Sequence, residues 1–95
     1  MAYIVSSTIL QQEIIMTRYI PLNELSLGES ASVHELIGSA SLKKRLEDLG
    51  VTKNTTIKCL MVSPLGDPTA YLIRGSVIAL RSDDANSVIL CLGGD

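Results

Sequence analysis

The chain has 95 residues, enough for one small domain, and its formal net charge is −2, with 8 Lys+Arg against 10 Asp+Glu. This balance argues against nucleic-acid binding by bulk charge, and the scarcity of aromatic residues (3 Tyr, no Phe, no Trp) argues against a stacking platform for single strands. The longest apolar run, Val88–Leu92, is far shorter than the about 20 residues of a membrane-spanning helix. We therefore expect no direct membrane insertion.

The first 17 residues differ from the rest of the chain. Their apolar residues follow neither the period of a strand nor that of a helix, and a second methionine, Met16, directly precedes the part with domain-like patterning. We expect residues 1–17 to be a peripheral arm, either partly disordered or added by a start codon upstream of the true one. The domain itself is predicted over residues 18–92.

From residue 18 onward, short alternating runs are separated by turn residues, a pattern typical of a small all-β barrel. The first run, residues 20–25, leads into a turn at Gly28. Residues 82–85 are predicted to form one capped helical turn, with Asp83 and Asp84 at the positive end of its dipole. The further strands are predicted at 31–36, 56–62, 69–74, 77–80 and 87–92.

One short helix interrupts the strands. Leu42, Leu46 and Leu49 fall at i, i+4 and i+7 and form one apolar stripe. Ser39 or Ser41 can cap the start of this helix, and Gly50 can end it. The predicted fold is thus mainly β, a small SH3-like β-barrel with one short α-helix, and an OB-type barrel is the competing topology.

The residues that usually carry catalysis or metal binding are sparse. His34 is the single histidine, and on a regular strand its neighbour Glu35 points to the opposite face. Cys59 and Cys91 lie on predicted strands without a CxxC pair, which favours reduced thiols packed as small hydrophobes in the cytoplasm. We expect no catalytic residue and no required cofactor. His34, with an acid brought close by folding, is the one metal-ligand candidate.

The loop Ser63-Pro64-Leu65-Gly66-Asp67-Pro68 stands out from its surroundings. Serine, proline and glycine at its first, second and fourth positions predict a type I turn, and the second proline keeps Asp67 extended. Leu65 then lies at the tip of a stiff turn. The loop is either a rigid connector or a pre-organised hydrophobic contact for a partner.

The charges on the predicted helix run against its dipole. Lys43, Lys44 and Arg45 occupy the first turn, whereas Glu47 and Asp48 occupy the last. Each misplaced charge costs only a few tenths of a kcal/mol. The basic turn is either a patch for docking a partner or an ordinary solvated face.

Three motifs in order resemble the FeoA family: RLEDLGV at 45–51, SPLGDP at 63–68 and IRGSVIALR at 73–81. The opening IPLNELSLGESASVHEL at 20–36 is similar to the start of that family, so the likeness covers residues 18–92. The chain departs from the family pattern at Lys53-Asn54, where the family usually has Pro-Gly, and at Ser63, where it usually has Ala. Asn tolerates the left-handed conformation, so we expect the turn at Asn54 to be kept.

The resemblance implies an SH3-like barrel, not an enzyme, that works in the cytoplasm and docks on FeoB, the membrane GTPase-permease for Fe(II), at the inner face of the membrane. It leaves open an alternative, a stand-alone domain that senses Fe(II) or Zn(II), like those fused to iron-dependent repressors. An RNA-binding role is disfavoured by the net charge, and self-association into a homo-oligomer stays open. The predicted docking residues are Pro64, Leu65, Gly66, Asp67, Lys43, Lys44, Arg45, Arg74 and Gly75, although Arg74 could equally brace the barrel.

Overall fold

The computed structural model describes residues 2–8 and 13–93. It is mainly β, as predicted, and one of its helices is longer than a single turn. In chain order the elements are β1 (Ala2–Thr8), β2 (Glu13–Pro21), a 3-10 helix (Leu22–Glu24), β3 (Ser30–Leu36), α1 (Ala40–Asp48), β4 (Thr56–Val62), β5 (Thr69–Ile73), β6 (Ser76–Leu80), α2 (Ser82–Ala85) and β7 (Val88–Leu92).

The strands of the described residues form one antiparallel sheet in the order β1-β2-β7-β3-β4-β5-β6. The last strand, β7, therefore returns to lie between β2 and β3. The register shifts at two places, between Val33 and Glu35 in β3 and between Cys59 and Met61 in β4. Such bulges bend a strand and increase its twist, which helps a small sheet curl around a core.

The core of the domain is almost entirely aliphatic. Tyr71 is the one aromatic core residue in the described part of the chain and is fully buried, and its hydroxyl donates a hydrogen bond to the Leu22 carbonyl at 3.4 Å. The largest of the other fully buried side chains are Ile20, Leu22, Leu46, Ile57, Ile73 and Leu90.

Helix α1 begins and ends where the sequence predicts. The Ser39 hydroxyl accepts a hydrogen bond from the Leu42 N–H at 3.1 Å, so Ser39 is the cap. Gly50 has φ +98° and donates to the Glu47 carbonyl, while the next residue, Val51, donates to the Leu46 carbonyl. This pair of bonds is a Schellman motif, which needs a left-handed residue at the position of Gly50.

The apolar stripe of α1 is shorter than predicted. Leu46 is 1% exposed and Leu42 packs against the core, but Leu49 remains 39% exposed. The helix ends at Asp48, and Leu49 is its C-cap residue, directly before the left-handed Gly50. Assigning Leu49 to the buried face was therefore wrong.

Residues 1–17 contain β1 and the start of β2. Strand β1 pairs with β2 from Ala2 opposite Tyr19 to Thr8 opposite Glu13, and β7 pairs with β2 only over residues 18–21. The predicted start of the domain, residue 18, is thus the first residue of β2 that pairs with β7. Residues 1 and 9–12 of the predicted arm lie outside the described residues.

The run at residues 20–25 does not stay extended. Strand β2 ends at Pro21, and the 3-10 helix that follows buries Leu22. The predicted strand at 69–74 ends one residue early, because Arg74 takes φ +50° and begins a turn. None of the helices in the described part of the chain is long and apolar enough to cross a membrane.

Candidate docking surface

The loop between β4 and β5 is closed by backbone hydrogen bonds. The Gly66 N–H donates to the Ser63 carbonyl at 2.8 Å, the bond that defines the predicted turn, and the Ser63 N–H donates to the Pro68 carbonyl at 3.3 Å. Pro64 and Gly66 are exposed, and Leu65 is 94% exposed at the tip. An aliphatic side chain is thus presented to solvent on a constrained turn.

Asp67 ties this loop to α2. One oxygen of its half-buried carboxylate accepts a hydrogen bond from the Ser82 backbone N–H at 2.8 Å, and the other lies 4.0 Å from a guanidinium nitrogen of Arg81. The cap residue of α2, Arg81, makes no side-chain cap bond of its own. Asp67 therefore supplies the cap and holds the base of the loop.

A second apolar surface lies beside the loop on the outer face of the sheet. In one cross-strand row, Met61 pairs with Ala70 and Ala70 with Ala79. In the next row, Leu72 pairs with Val77 on one side and with Lys58 on the other. Met61 and Val77 are 64% and 67% exposed. We call Met61, Ala70, Leu72, Val77 and Ala79 the outer apolar face.

The outer apolar face was not predicted, because it depends on strand pairing. Within each strand these residues sit at alternate positions, which is a visible signal. The register shift after Cys59 places Met61 opposite Ala70. The residue pattern within β4 does not indicate this shift. The grouping of residues from three strands follows only from the pairing.

The basic turn of α1 does not form one free patch. Arg45 pairs with Asp84 of α2 at 3.1 Å, Lys44 lies 3.8 Å from Asp48 on the same helix, and Lys43 is half-buried. Arg45 thus joins α1 to α2, the element that Asp67 also holds. The structure brings the Leu65 loop and Arg45 to the same short helix.

Arg74 and Gly75 form the two-residue turn between β5 and β6. Both have positive φ, +50° and +82°, as a type I′ hairpin turn requires. The Arg74 guanidinium donates from Nε to the Gly50 carbonyl at 3.1 Å and from Nη2 to the Thr52 and Thr55 hydroxyls at 2.8 and 3.0 Å. Arg74 therefore braces the segment that follows α1.

The predicted docking residues fall into two separate groups. The Leu65 loop precedes β5 and the Arg74-Gly75 turn follows it, so the two lie at opposite ends of a five-residue strand. At about 3.3 Å per residue, that is a separation of about 17 Å. Arg45 belongs to the group of the Leu65 loop, because Arg45 and Asp67 both contact α2.

The turn at Lys53-Asn54 is kept, as expected. The Thr55 N–H donates to the Thr52 carbonyl at 3.0 Å, and Asn54 has φ +72°. Asn is one of the few side chains that adopt this left-handed conformation readily. Lys53 and Asn54 are both exposed at the turn.

His34 is not where a regular strand would put it. Val33 and Leu36, three residues apart, both contact the core, because the register shift makes His34 an extra residue opposite β7. The expectation that His34 and Glu35 point to opposite faces was therefore wrong. The His34 ring packs on the Tyr19 ring with centroids 4.6 Å apart. Within residues 2–8 and 13–93, no three His, Cys, Asp or Glu side chains are grouped as a metal site would require.

The two cysteines differ in setting. Cys59 is 1% exposed in the core, and burial raises the pKa of its thiol. Cys91 is half-buried and pairs with Tyr19 and Ser32, so it is not the core residue that the sequence suggested. Both thiols are free.

Several known proteins similar to this chain belong to one family. The FeoA family, described as the FeoA domain, matches residues 20–90, most of the chain. The Fe(2+) transport protein A/Fe(2+) transporter FeoB fusion protein of Porphyromonas gingivalis is 31% identical over 67 residues, which are 70% of this chain and 8% of that protein. The chain thus spans a small fraction of the length of that relative.

Solved structures give the same result for the fold. The FeoA protein of Chlorobium tepidum is 31% identical, with a TM-score of 0.71 over 80% of this chain and 73% of that one. FeoA of Stenotrophomonas maltophilia, an SH3 domain protein solved in complex with zinc, is 27% identical, with a TM-score of 0.64 over 73% of this chain and 86% of that one. The predicted SH3-like barrel is confirmed, and the chain belongs to the FeoA family.

Proposed function

We propose that this chain is a non-catalytic accessory protein of ferrous iron uptake that docks on a FeoB-type transporter. Support comes from the relative in which a FeoA segment is fused to FeoB, since fusion keeps two interacting parts together. The proposal places the chain in the cytoplasm, recruited by its partner to the inner face of the membrane.

The observation that carries the proposal is the position of Leu65. It is 94% exposed, yet the turn beneath it is closed by the Gly66–Ser63 bond and fixed at its base by Asp67. A side chain held in place before binding loses little conformational entropy when a partner covers it. The outer apolar face extends from the same end of the sheet and supplies the neighbouring contact area.

A cavity in the partner that accepts Leu65 would bury one whole leucine side chain. Burying a leucine contributes about 1.5–3 kcal/mol, which is a factor of about 10 to 150 in affinity. Gly66 and Pro64 add little side-chain bulk around it, so the approach of a partner to the tip is unobstructed. We infer that Leu65 is the anchor of the interface and that Met61 and Val77 lie toward its rim.

Co-purification with the transporter tests the anchor. The Leu65→Glu variant should fold normally, because Leu65 has no role in the core, and should lose co-purification with a FeoB-type transporter. Leu27→Glu is the matched control, since Leu27 is 66% exposed in another loop, and it should co-purify like the unaltered chain. Normal recovery of Leu65→Glu would show that the loop is only a connector.

The metal-sensor alternative has one observation in its favour, the zinc bound to the similar protein of S. maltophilia. Calorimetric titration with Zn(II) and Fe(II) separates the alternatives. Stoichiometric binding that is lost in His34→Ala would favour the sensor. If both the unaltered chain and His34→Ala give only the heat of dilution, with no binding signal, the accessory role is favoured.

A further inference from the structure

An open depression of about 430 Å³ is lined by Lys53, Asn54, Thr55, Thr56 and Arg74. It lies at the Arg74 end of β5, away from the Leu65 loop. Both of its charged lining residues are cationic, and no carboxylate of residues 2–8 and 13–93 lines it. The depression is therefore a positive site on a chain whose formal net charge is −2.

The Arg74 guanidinium in this depression is held rigidly. Nε donates to the Gly50 carbonyl, and Nη2 donates to both threonine hydroxyls, which also bond to each other at 2.8 Å. A guanidinium has five N–H donors, so three are satisfied inside the protein. The two N–H groups of Nη1 have no acceptor among the described residues.

Among the described residues, no acid neutralises the positive charge of the depression. Lys44, Arg45 and Arg81 each lie within 4.0 Å of an aspartate, whereas Lys53 and Arg74 have no carboxylate partner in the described part of the chain. Asn54 and Thr56 add an exposed amide and hydroxyl beside them. The depression thus offers several hydrogen-bond donors, and no acid of the described residues competes for them.

We propose that this depression binds a phosphate group. The Nε–Nη2 edge of Arg74, through which a guanidinium makes two parallel bonds to a carboxylate or a phosphate, already donates to Gly50 and the threonines. What remains is a set of single donors on separate side chains: Nη1 of Arg74, the Lys53 ammonium, the Asn54 amide and the Thr56 hydroxyl. A phosphate group has three acceptor oxygens and carries more negative charge than a carboxylate, so it can accept from several of these separate donors at once.

An NMR titration of the full chain tests this site independently of any transporter. Inorganic phosphate and adenosine monophosphate are each added at constant ionic strength, and sodium acetate serves as the carboxylate comparison. The amide shifts should be saturable and confined to residues 52–56 and 74–75. Lys53→Ala should weaken binding about tenfold or more, since one full charge is lost. Lys44→Ala, which removes an exposed lysine on α1, should leave binding unchanged.

The two phosphate sources are distinguished by the same experiment. Binding of inorganic phosphate alone assigns the site to the free anion, and tighter binding of adenosine monophosphate assigns it to a phosphate monoester. Equal shifts with acetate, or shifts that never saturate and spread over all lysines, would overturn the proposal. So would phosphate binding that Lys53→Ala leaves intact.

Discussion

The carboxylate of Asp67 accepts a hydrogen bond from the backbone N–H of Ser82 at 2.8 Å, so a residue of the Leu65 loop caps helix α2. The same helix holds Arg45 of α1 through Asp84 at 3.1 Å. A four-residue helix is too short to be stable on its own. It is kept in place by contacts from both sides, and in turn it positions the loop.

Replacing Asp67 with alanine should destabilise the protein by about 1 kcal/mol, the usual cost of losing a cap. Asp67→Asn keeps an oxygen acceptor for the Ser82 N–H and should retain most of that stability. Urea unfolding measures both variants. An alanine variant as stable as the unaltered chain would show that the bond contributes nothing.

Replacing Ser63 with alanine should stabilise the protein. The Ser63 hydroxyl oxygen is buried and has no hydrogen-bond partner among the described residues. An unsatisfied buried hydroxyl costs about 1–3 kcal/mol, so its removal should raise the free energy of unfolding by about 1 kcal/mol. Ser30→Ala, at an exposed position of β3, is the control and should have no effect. A drop in stability for Ser63→Ala would mean that the hydroxyl has a partner after all.

Two leucines of α1 should respond very differently to truncation. Leu46→Ala removes a fully buried side chain and should cost about 2–5 kcal/mol, enough to unfold much of a domain this small. Leu49→Ala removes a 39% exposed side chain next to it and should cost less than about 1 kcal/mol. Thermal unfolding distinguishes them. Similar losses of stability in both variants would mean that Leu49 contributes to the core as Leu46 does.

The stability of the fold should fall at alkaline pH. Burial raises the pKa of Tyr71 above its usual value, so in the folded state the phenol keeps its proton at pH values where the unfolded chain loses it. The unfolded state then binds fewer protons, and the free energy of unfolding decreases as pH rises above about 10. Tyr71→Phe should remove this part of the decline in urea unfolding between about pH 9 and 11. If the free energy of unfolding falls just as steeply in Tyr71→Phe as in the unaltered chain, other groups cause the decline.

Local patterns predicted the elements where the chain's own residues decide them. Strand β4 occupies Thr56–Val62 as predicted, because its alternation of buried and exposed side chains is uninterrupted up to Cys59. Ser39 and Gly50 bound α1 because capping depends on neighbours only a few positions away. Asn54 keeps the turn for the same local reason.

Relationships between distant residues were not predictable. Nothing near Asp67 in the sequence indicates that its partner is Ser82, and nothing near Arg74 indicates Gly50, Thr52 and Thr55. The extra residue in β3 at His34 is visible only against β7. Each of these depends on how separate segments meet, which a single sequence does not specify.

The most direct test of the docking proposal is an NMR map of the interface. The isotope-labelled chain is titrated with the purified FeoB-type transporter, and the loss of each amide signal is followed. The proposal predicts the strongest losses at residues 63–67, followed by Met61, Ala70 and Ala79 of the outer apolar face. No loss at the Leu65 loop, or losses confined to Lys53 and the Arg74-Gly75 turn, would contradict it.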